Sequence, residues 1–173
     1  FDAATSKSAI HMVSAWATAN QISLGQVVVD EKSNEITAIP ALLKMLEIEG
    51  CLVTIDAMGC QIAIAQAILD AKADYVLAVK GNQRTLYDGL AWFFCYNGTF
   101  DYDEVSVSRH ATEEKGHGRR ETRSYFVCEP PDDLPDRHRW PKLKAIGMAV
   151  NETWRDGKLH YEQRYYILSK KLS

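Results

Sequence analysis

Residues 51–83 read CLVTIDAMGCQIAIAQAILDAKADYVLAVKGNQ, and they contain the clearest alternation of strand-like and helix-like segments in the chain. Two short apolar runs, Cys51–Ile55 and Tyr75–Val79, lie on either side of Gly59–Ala73, which is rich in Ala, Ile and Gln. Buried apolar strands that alternate with helices of this length are typical of parallel strands joined by crossovers. The stretch therefore predicts an α/β fold in which the two apolar runs are adjacent parallel strands.

The flanking sequence extends this pattern in both directions. Upstream, residues 10–19 and 22–30 have the composition of a β-hairpin, and Ile36–Gly50 has apolar residues at helical spacing. Downstream, Gln83–Tyr96 predicts a third helix. After Asn97-Gly98 the sequence becomes mainly β in character, and the Asp-Gly pair at 156–157 predicts a hairpin turn. The second half is thus expected to be mostly antiparallel.

The composition limits the classes of protein that the chain can belong to. Its 173 residues carry a net charge of −3, with 46% hydrophobic and 25% charged residues, which is typical of one soluble globular domain. No apolar run is long enough to span a membrane. There is no general basic surface, so contact with nucleic acid would need a local patch. The four cysteines lack zinc-ligand spacing, and Cys51 and Cys95 are expected to be buried in a reduced, cytosolic setting.

Asp56 directly follows the first apolar strand and precedes the helical segment. Ligands of open α/β sheets bind beyond the carboxyl ends of the strands, so an acid at this position is well placed to hold a metal ion in a cleft. The alternative interpretation is that Asp56 only caps the following helix, which is a common role for aspartate. On position alone, the capping role is favoured.

The segment Lys80-Gly81-Asn82-Gln83 ends the second strand. If the two strands are adjacent and parallel, its side chains lie at the same sheet edge as Asp56 and could meet a phosphate group. The alternative is an ordinary solvated turn, in which glycine permits the bend. The candidate nucleic-acid contacts in this segment are Lys80, Asn82 and Gln83.

Residues 115–123, with the sequence KGHGRRETR, form the one dense basic stretch. If residues 119–123 are extended, Arg119, Glu121 and Arg123 share one face of the strand and Arg120 points the opposite way. Arginines on a glycine-flanked element suit phosphate contacts. A solvated edge strand with balanced charges is an equally supported alternative. The candidate nucleic-acid contacts in this stretch are His117, Arg119, Arg120 and Arg123.

Several motifs occur together, in order and in spacing: Glu31–Ile36, Thr54–Gln61, Asp74–Gln83 and His117–Arg123. With these motifs the chain resembles the ISAs-type insertion-sequence transposases, also called H-repeat-associated proteins, over nearly its whole length. The resemblance implies a DDE transposase catalytic core, with an RNase H-like mixed sheet and helices. Residues 1–98 would form part of that core, and residues 99–173 an antiparallel β insertion continuous with it.

The resemblance also implies a mechanism and its catalytic residues. In this family three acids hold two divalent ions, Mg²⁺ or Mn²⁺, which serve DNA strand cleavage and transfer. Asp56 matches the second acid. The first acid is expected before Phe1 and the third beyond residue 173, and Glu121 is a less favoured candidate for the third. The chain is therefore expected to be a fragment that is catalytically incomplete, ends before the final catalytic helix and does not hold the metal stably.

A further expectation concerns the strand that would carry the first acid. In an RNase H-like sheet this strand lies between the 10–19 strand and the 51–55 strand, and unpaired backbone groups in such a gap are costly. We expect the gap to be closed by sheet rearrangement or by exchange with a second copy.

The implied partner is DNA, both transposon ends and target, in the cytoplasm of a prokaryote, and the implied active form is a homo-oligomer. Two other functions stay open at this point. One is an RNase H-like nuclease or resolvase that cuts DNA without strand transfer. The other is a non-enzymatic α/β interaction domain, in which Asp56 only caps a helix.

Overall fold

The computed structural model of the protein describes residues 11–29, 35–116 and 119–171. The strands in these ranges are β1 His11–Ala17, β2 Ile22–Val29, β3 Leu52–Ile55, β4 Asp74–Val79, β5 Val107–Gly116, β6 Arg119–Cys128, β7 Ala145–Arg155 and β8 Lys158–Leu168. The helices are α1 Glu35–Lys44, α2 Ile62–Asp70 and α3 Arg84–Thr99, and short 3₁₀ turns occupy Ala57–Gly59, Gly81–Gln83 and Arg137–Arg139.

Six strands form one sheet in the order β3-β4-β8-β7-β6-β5. The β3–β4 pair is parallel, which confirms the prediction from residues 51–83, and every other pair in this sheet is antiparallel. Strand β8 pairs directly with β4, from Val76 opposite Leu168 to Val79 opposite Tyr165. The second half of the chain therefore builds the same sheet as the first, and the protein is a mixed α/β structure with a mostly antiparallel sheet.

The β1–β2 hairpin forms a separate two-stranded sheet, and the predicted antiparallel pairing is confirmed. The hairpin packs on α1, which in turn contacts α2. Strand β3 lies at the edge of the large sheet, and β4 is its only strand partner in the part of the chain that the structure describes. The predicted closure of the gap by sheet rearrangement is therefore not seen, because β1 and β3 belong to different sheets.

The hydrophobic core lies on one face of the large sheet, where α2 and α3 pack. Along β4 the burial alternates, with Tyr75, Leu77 and Val79 buried and the residues between them only half-buried. The ring of Phe94 on α3 stacks on that of Tyr165 on β8, with centroids 6.0 Å apart. Each large apolar side chain buried in this way contributes roughly 1.5–3 kcal/mol. The opposite face, called the open face below, carries polar side chains that line clefts, among them Thr54, Asn151, Glu162 and Arg164.

The expectation for the cysteines was wrong for two of them. Cys51 and Cys95 are exposed, whereas Cys60 and Cys128 are buried in the core. An apolar sequence neighbourhood does not bury a residue when the strand lies at a sheet edge or the helix position faces solvent. Burial raises the pKa of the Cys60 and Cys128 thiols to about 12. None of the helices in the described ranges combines the length and apolar content needed to cross a membrane.

Candidate functional site

Asp56 lies directly after β3, at the carboxyl end of the parallel pair. Its backbone is extended, and its Oδ1 accepts a hydrogen bond of 3.1 Å from the main-chain N–H of Met58, so it caps the 57–59 turn. Asp56 therefore has a capping role, but it caps this short turn and not the helix α2, whose N-cap residue is Gln61. The Asp56 side chain is nevertheless exposed and lines a cleft, so one carboxylate can both fix the turn and face a ligand.

The turn after β4 is tied to the turn after β3 by two side-chain amides. Asn82 donates from Nδ2 to the carbonyl of Ala57 at 2.6 Å, and Gln83 donates from Nε2 to the carbonyl of Cys60 at 2.9 Å. These bonds give Asn82 and Gln83 a bracing role beside Asp56. Their contact with nucleic acid stays a prediction, and it would have to use the polar atoms that these bonds leave free.

The cleft at the strand ends has a volume of about 560 Å³. Polar side chains from three neighbouring strands or their ends reach it: Thr54, Asp56, Lys80, Glu162, Arg164 and Tyr166. Sequence reasoning brought Asp56 and Lys80 together correctly but missed the contribution of β8. The only signal for Glu162 and Arg164 was their spacing of two positions in a segment with β character, which places both side chains on one face of a strand.

Glu162 and Arg164 form a two-point ion pair, with Nε to Oε1 at 2.9 Å and Nη2 to Oε2 at 3.1 Å. The hydrogen bond from Arg164 lowers the pKa of the Glu162 carboxyl, and the charges of Arg164 and Lys80 lower it further. Asp56, Glu162, Lys80 and Arg164 together bring two negative and two positive charges to the cleft. The cleft is therefore charge-balanced, with Arg164 held in a fixed orientation.

The available donor groups limit the metal chemistry of this cleft. Asp56 offers a carboxylate oxygen, the ligand type that Mg²⁺ and Mn²⁺ prefer. The second nearby acid, Glu162, is engaged by Arg164. No group of three His, Cys, Asp or Glu side chains in the described residues could hold a metal ion. The described residues thus supply one ligand and do not by themselves fit a metal pair.

Glu121 lies on β6, far from Asp56 in the sheet. Strands β7, β8 and β4 separate β6 from β3, which makes four strand spacings, or about 19 Å across the sheet. The pairing registers add about six residues, or about 20 Å, along the strands. Ligands of one hard cation lie within about 2.0–2.6 Å of it, so Glu121 and Asp56 cannot share an ion in this arrangement. The geometry gives no support to the predicted catalytic role of Glu121.

The arginine side chains of residues 119–123 lie on the faces of the strand that the sequence predicted. Arg119 and Arg123 both pair with Glu121 on one face of β6, while Arg120 pairs with Glu113 on the other face. The role of these arginines in binding nucleic acid stays a prediction. His117, the remaining candidate of this stretch, lies outside the described residues.

Comparison with known proteins gives a consistent result. The family model described as "Transposase DDE domain" matches residues 1–172. The chain is 45% identical over 174 residues to "Putative transposase YncI" of Escherichia coli O157:H7, covering 98% of this chain and 44% of that protein. It is 41% identical over 181 residues to "H repeat-associated putative transposase YhhI" of Escherichia coli K12, covering 100% of this chain and 46% of that protein.

A third relative is "Uncharacterized protein in dhlA 3'region" of Xanthobacter autotrophicus, 39% identical over 166 residues, which cover 93% of this chain and 53% of that protein. The chain spans about half the length of the curated relatives it matches. No solved structure matches the chain.

Proposed function

The chain belongs to the family of H-repeat-associated transposases with a transposase DDE domain, and from this membership we propose that it contributes to the catalytic core of an insertion-sequence transposase that cleaves and transfers DNA strands. The core would be RNase H-like, with residues 1–98 as part of it and residues 99–173 as a β-rich extension of the same sheet. The parallel β3–β4 pair with its helical crossover supports this. The family match favours this function over the nuclease and the non-enzymatic alternatives.

Asp56 is the residue that we assign to the catalytic site. DDE transposases use divalent metal ions, and we propose Mg²⁺ or Mn²⁺ with Asp56 as one carboxylate ligand. An ion held there with ligands from outside the described residues would supply electrostatic stabilisation to a phosphodiester. The single observation that carries this assignment is the exposed Asp56 carboxylate at the carboxyl end of a parallel strand pair, in a cleft that also contains Lys80 and Arg164.

The other residues of the cleft position the DNA and the carboxylate. Lys80 and Arg164 would hold backbone phosphates beside Asp56 through charge-assisted hydrogen bonds. Glu162 keeps the Arg164 guanidinium in one orientation. Asn82 and Gln83 hold the turn that carries Asp56, so the carboxylate keeps its place at the strand end.

The partners follow from the same proposal. The DNA would be transposon ends and target, in the cytoplasm of a prokaryote, and the active form a homo-oligomer. The four-residue β3 at the sheet edge supports exchange of a strand with a second copy, because open edges favour pairing with another chain. Sedimentation over a range of concentrations tests this point: association is expected, and a monomer at every concentration contradicts it.

The assignment of Asp56 is tested by titrating the chain with Mn²⁺ and recording paramagnetic broadening of its backbone NMR signals, which detects weak sites. Broadening is expected around residues 54–58 and Lys80, and it is expected to disappear in Asp56→Asn. Asparagine retains the capping oxygen, so the turn should persist. Asp103→Asn, which changes another exposed acid, is the matched control and should leave the broadening intact. Equal broadening in the wild type and in Asp56→Asn would remove Asp56 from the site.

A further inference from the structure

Glu121 is the only charged residue that is buried in the described ranges, with 6% of its surface exposed. It lies on the open face of the sheet, where its polar neighbours Arg119 and Glu114 are exposed and Arg123 and Thr153 are half-buried. An ionised carboxylate that is removed from water needs partners of opposite charge. The ion-pair partners of Glu121 therefore indicate which role the buried carboxylate has.

Two arginines form ion pairs with the Glu121 carboxylate, one with each oxygen. Arg123 contacts Oε1 through Nε at 2.7 Å and Nη2 at 2.6 Å, and the Arg119 Nη2 lies 3.0 Å from Oε2. The arginine side chains themselves remain 53% (Arg119) and 41% (Arg123) exposed. A guanidinium has five N–H donors, so both arginines keep donors for a further acceptor. Arg123 also lies 3.7 Å from Glu114, which is directly opposite Glu121 on β5, so the Arg119–Glu121–Arg123 cluster together with Glu114 is charge-balanced.

This cluster lies on the same face of the sheet as Asp56. Arg123 is opposite Asn151 on β7, and Asn151 is opposite Glu162 on β8. A second cleft, of about 370 Å³, extends from Glu121 and Arg123 to Glu162 and Arg164. It shares Glu162 and Arg164 with the Asp56 cleft. The two clefts thus form one continuous polar surface from Asp56 to the cluster.

A polar group on this surface has no partner within the described part of the protein. The side-chain oxygen of Asn151 is buried and accepts no hydrogen bond from the described residues. Buried acceptors are rarely left without a partner, which makes the second cleft a place where water or a bound molecule completes the hydrogen bonding.

We propose that Glu121 is a positioning residue: it holds Arg119 and Arg123 as a preformed pair of phosphate contacts for duplex DNA that lies across this face and reaches Asp56. This inference rests on the proposed function. The pairing registers place Glu121 level with His160 and Asp56 level with Tyr166 on β8, so the two are about 19 Å apart across the strands and about 20 Å apart along them. The resulting separation of about 28 Å corresponds to about eight base pairs, at about 3.4 Å per base pair. The pair would fix the register of the DNA relative to the site of cleavage.

The opposite face of the β5–β6 strand pair provides a matched control. There Glu113 accepts ion pairs from Lys115 and Arg120, each at 3.0 Å. Glu113 therefore also holds two cations, but on the side of the sheet that faces away from Asp56. Glu113→Gln and Glu121→Gln each remove one negative charge from the β5–β6 hairpin.

The decisive measurement is the affinity of the chain for a 30-base-pair duplex of mixed sequence at low salt, with Glu121→Gln and Glu113→Gln compared. If Glu121 only balances charge, its removal tightens binding to the DNA polyanion. If it positions the arginines, Glu121→Gln weakens binding, about 3- to 10-fold, although the chain becomes less negative. The salt dependence should also become shallower by the equivalent of about one phosphate contact. Glu113→Gln should leave binding unchanged or make it tighter.

A second pair of variants keeps the proposal testable if Glu121→Gln does not fold. Arg119→Ala leaves Glu121 paired with Arg123, so it should fold and bind DNA more weakly. Arg139→Ala removes an exposed arginine that pairs with Asp136 outside the sheet, and it should bind within about twofold of the wild type. Equal losses in both variants, tighter binding by Glu121→Gln, or no duplex binding by the wild type would each overturn the proposal.

The Mn²⁺ measurement separates this proposal from the proposed function. Glu121→Gln should leave broadening around Asp56 unchanged, since a positioning residue about 28 Å away does not hold the ion. Loss of that broadening in Glu121→Gln would overturn the positioning role and favour a metal ligand. Intact metal binding with unchanged DNA affinity in Glu121→Gln and Arg119→Ala would reject the inference and leave the role of Asp56 standing.

Discussion

The side-chain amide of Asn82 donates a hydrogen bond of 2.6 Å to the main-chain carbonyl of Ala57, across 25 positions of sequence. Ala57 directly follows Asp56, so this bond connects the end of β4 to the residue next to the candidate catalytic acid. Gln83 adds a parallel bond to Cys60. The position of Asp56 therefore depends on the neighbouring strand end as well as on its own turn.

Replacing Asn82 with alanine should lower the free energy of unfolding by about 0.5–1.5 kcal/mol, because one hydrogen bond to the main chain is lost. It should also shift the NMR signals of residues 56–58. Asn97→Ala is the matched control, since Asn97 donates a similar bond of 2.8 Å to the carbonyl of Phe93. Urea denaturation and NMR measure the two effects, and unchanged signals at 56–58 in Asn82→Ala would mean that the bond does not position Asp56.

Two substitutions of Asp56 separate its capping role from its proposed metal role. Asp56→Ala should cost about 1 kcal/mol of stability, because the N–H of Met58 loses its acceptor. Asp56→Asn should cost less, since asparagine is an equally good capping residue. Thermal unfolding of both variants measures the difference. Equal stability of the alanine and asparagine variants would show that the cap contributes nothing.

The Glu121 cluster predicts a strong dependence of stability on its arginines. The double variant Arg119→Ala with Arg123→Ala leaves a buried carboxylate without its partners and should cost on the order of 3 kcal/mol. Adding Glu121→Gln to that variant should restore most of the loss, because the unpaired charge is removed. Urea denaturation of the double and triple variants is the measurement. A triple variant no more stable than the double would contradict this explanation of the burial.

Asp74 should make stability depend on pH in the acid range. Its carboxylate accepts a hydrogen bond of 2.7 Å from the Ser169 hydroxyl and one of 3.0 Å from Lys142, and these bonds lower its pKa below the ordinary value of 3.8. The native state therefore favours the ionised form, and this stabilisation is present above about pH 4 and lost as the pH falls through the native pKa. Between pH 5 and pH 3 the wild type should lose more stability than Asp74→Asn. Parallel losses in the two proteins would contradict the prediction.

Thiol labelling should divide the four cysteines into two pairs. Burial raises the pKa of Cys60 and Cys128 to about 12, so almost no reactive thiolate forms at pH 8, while Cys51 and Cys95 are exposed. A disulfide reagent should therefore modify two thiols quickly in the native protein and four in denaturant. Mass spectrometry identifies the sites, and fast labelling of Cys60 would contradict the described core.

The part of the site that was correctly inferred from sequence is local. Asp56 and Lys80 follow consecutive parallel strands, and that arrangement follows from the order of apolar runs and helices in residues 51–83. The opposite facing of Arg119 and Arg120 follows from the alternation of side chains along a strand. Glu162 and Arg164 were missed because they reach the cleft only through the β4–β8 pairing, which joins residues about 90 positions apart.

Local sequence patterns were enough to predict the hairpin, the parallel strands and the helices of residues 10–96, the side chains that share a face, and the acid that follows a parallel strand. These properties depend on backbone geometry and on the spacing of apolar residues, both of which act over a few positions. Long-range pairing placed β8 beside β4, buried Glu121 between two arginines and left β3 at an edge within the described residues. Strand order depends on which edges can pair while burying the common core, and that is a property of the whole chain rather than of any local segment.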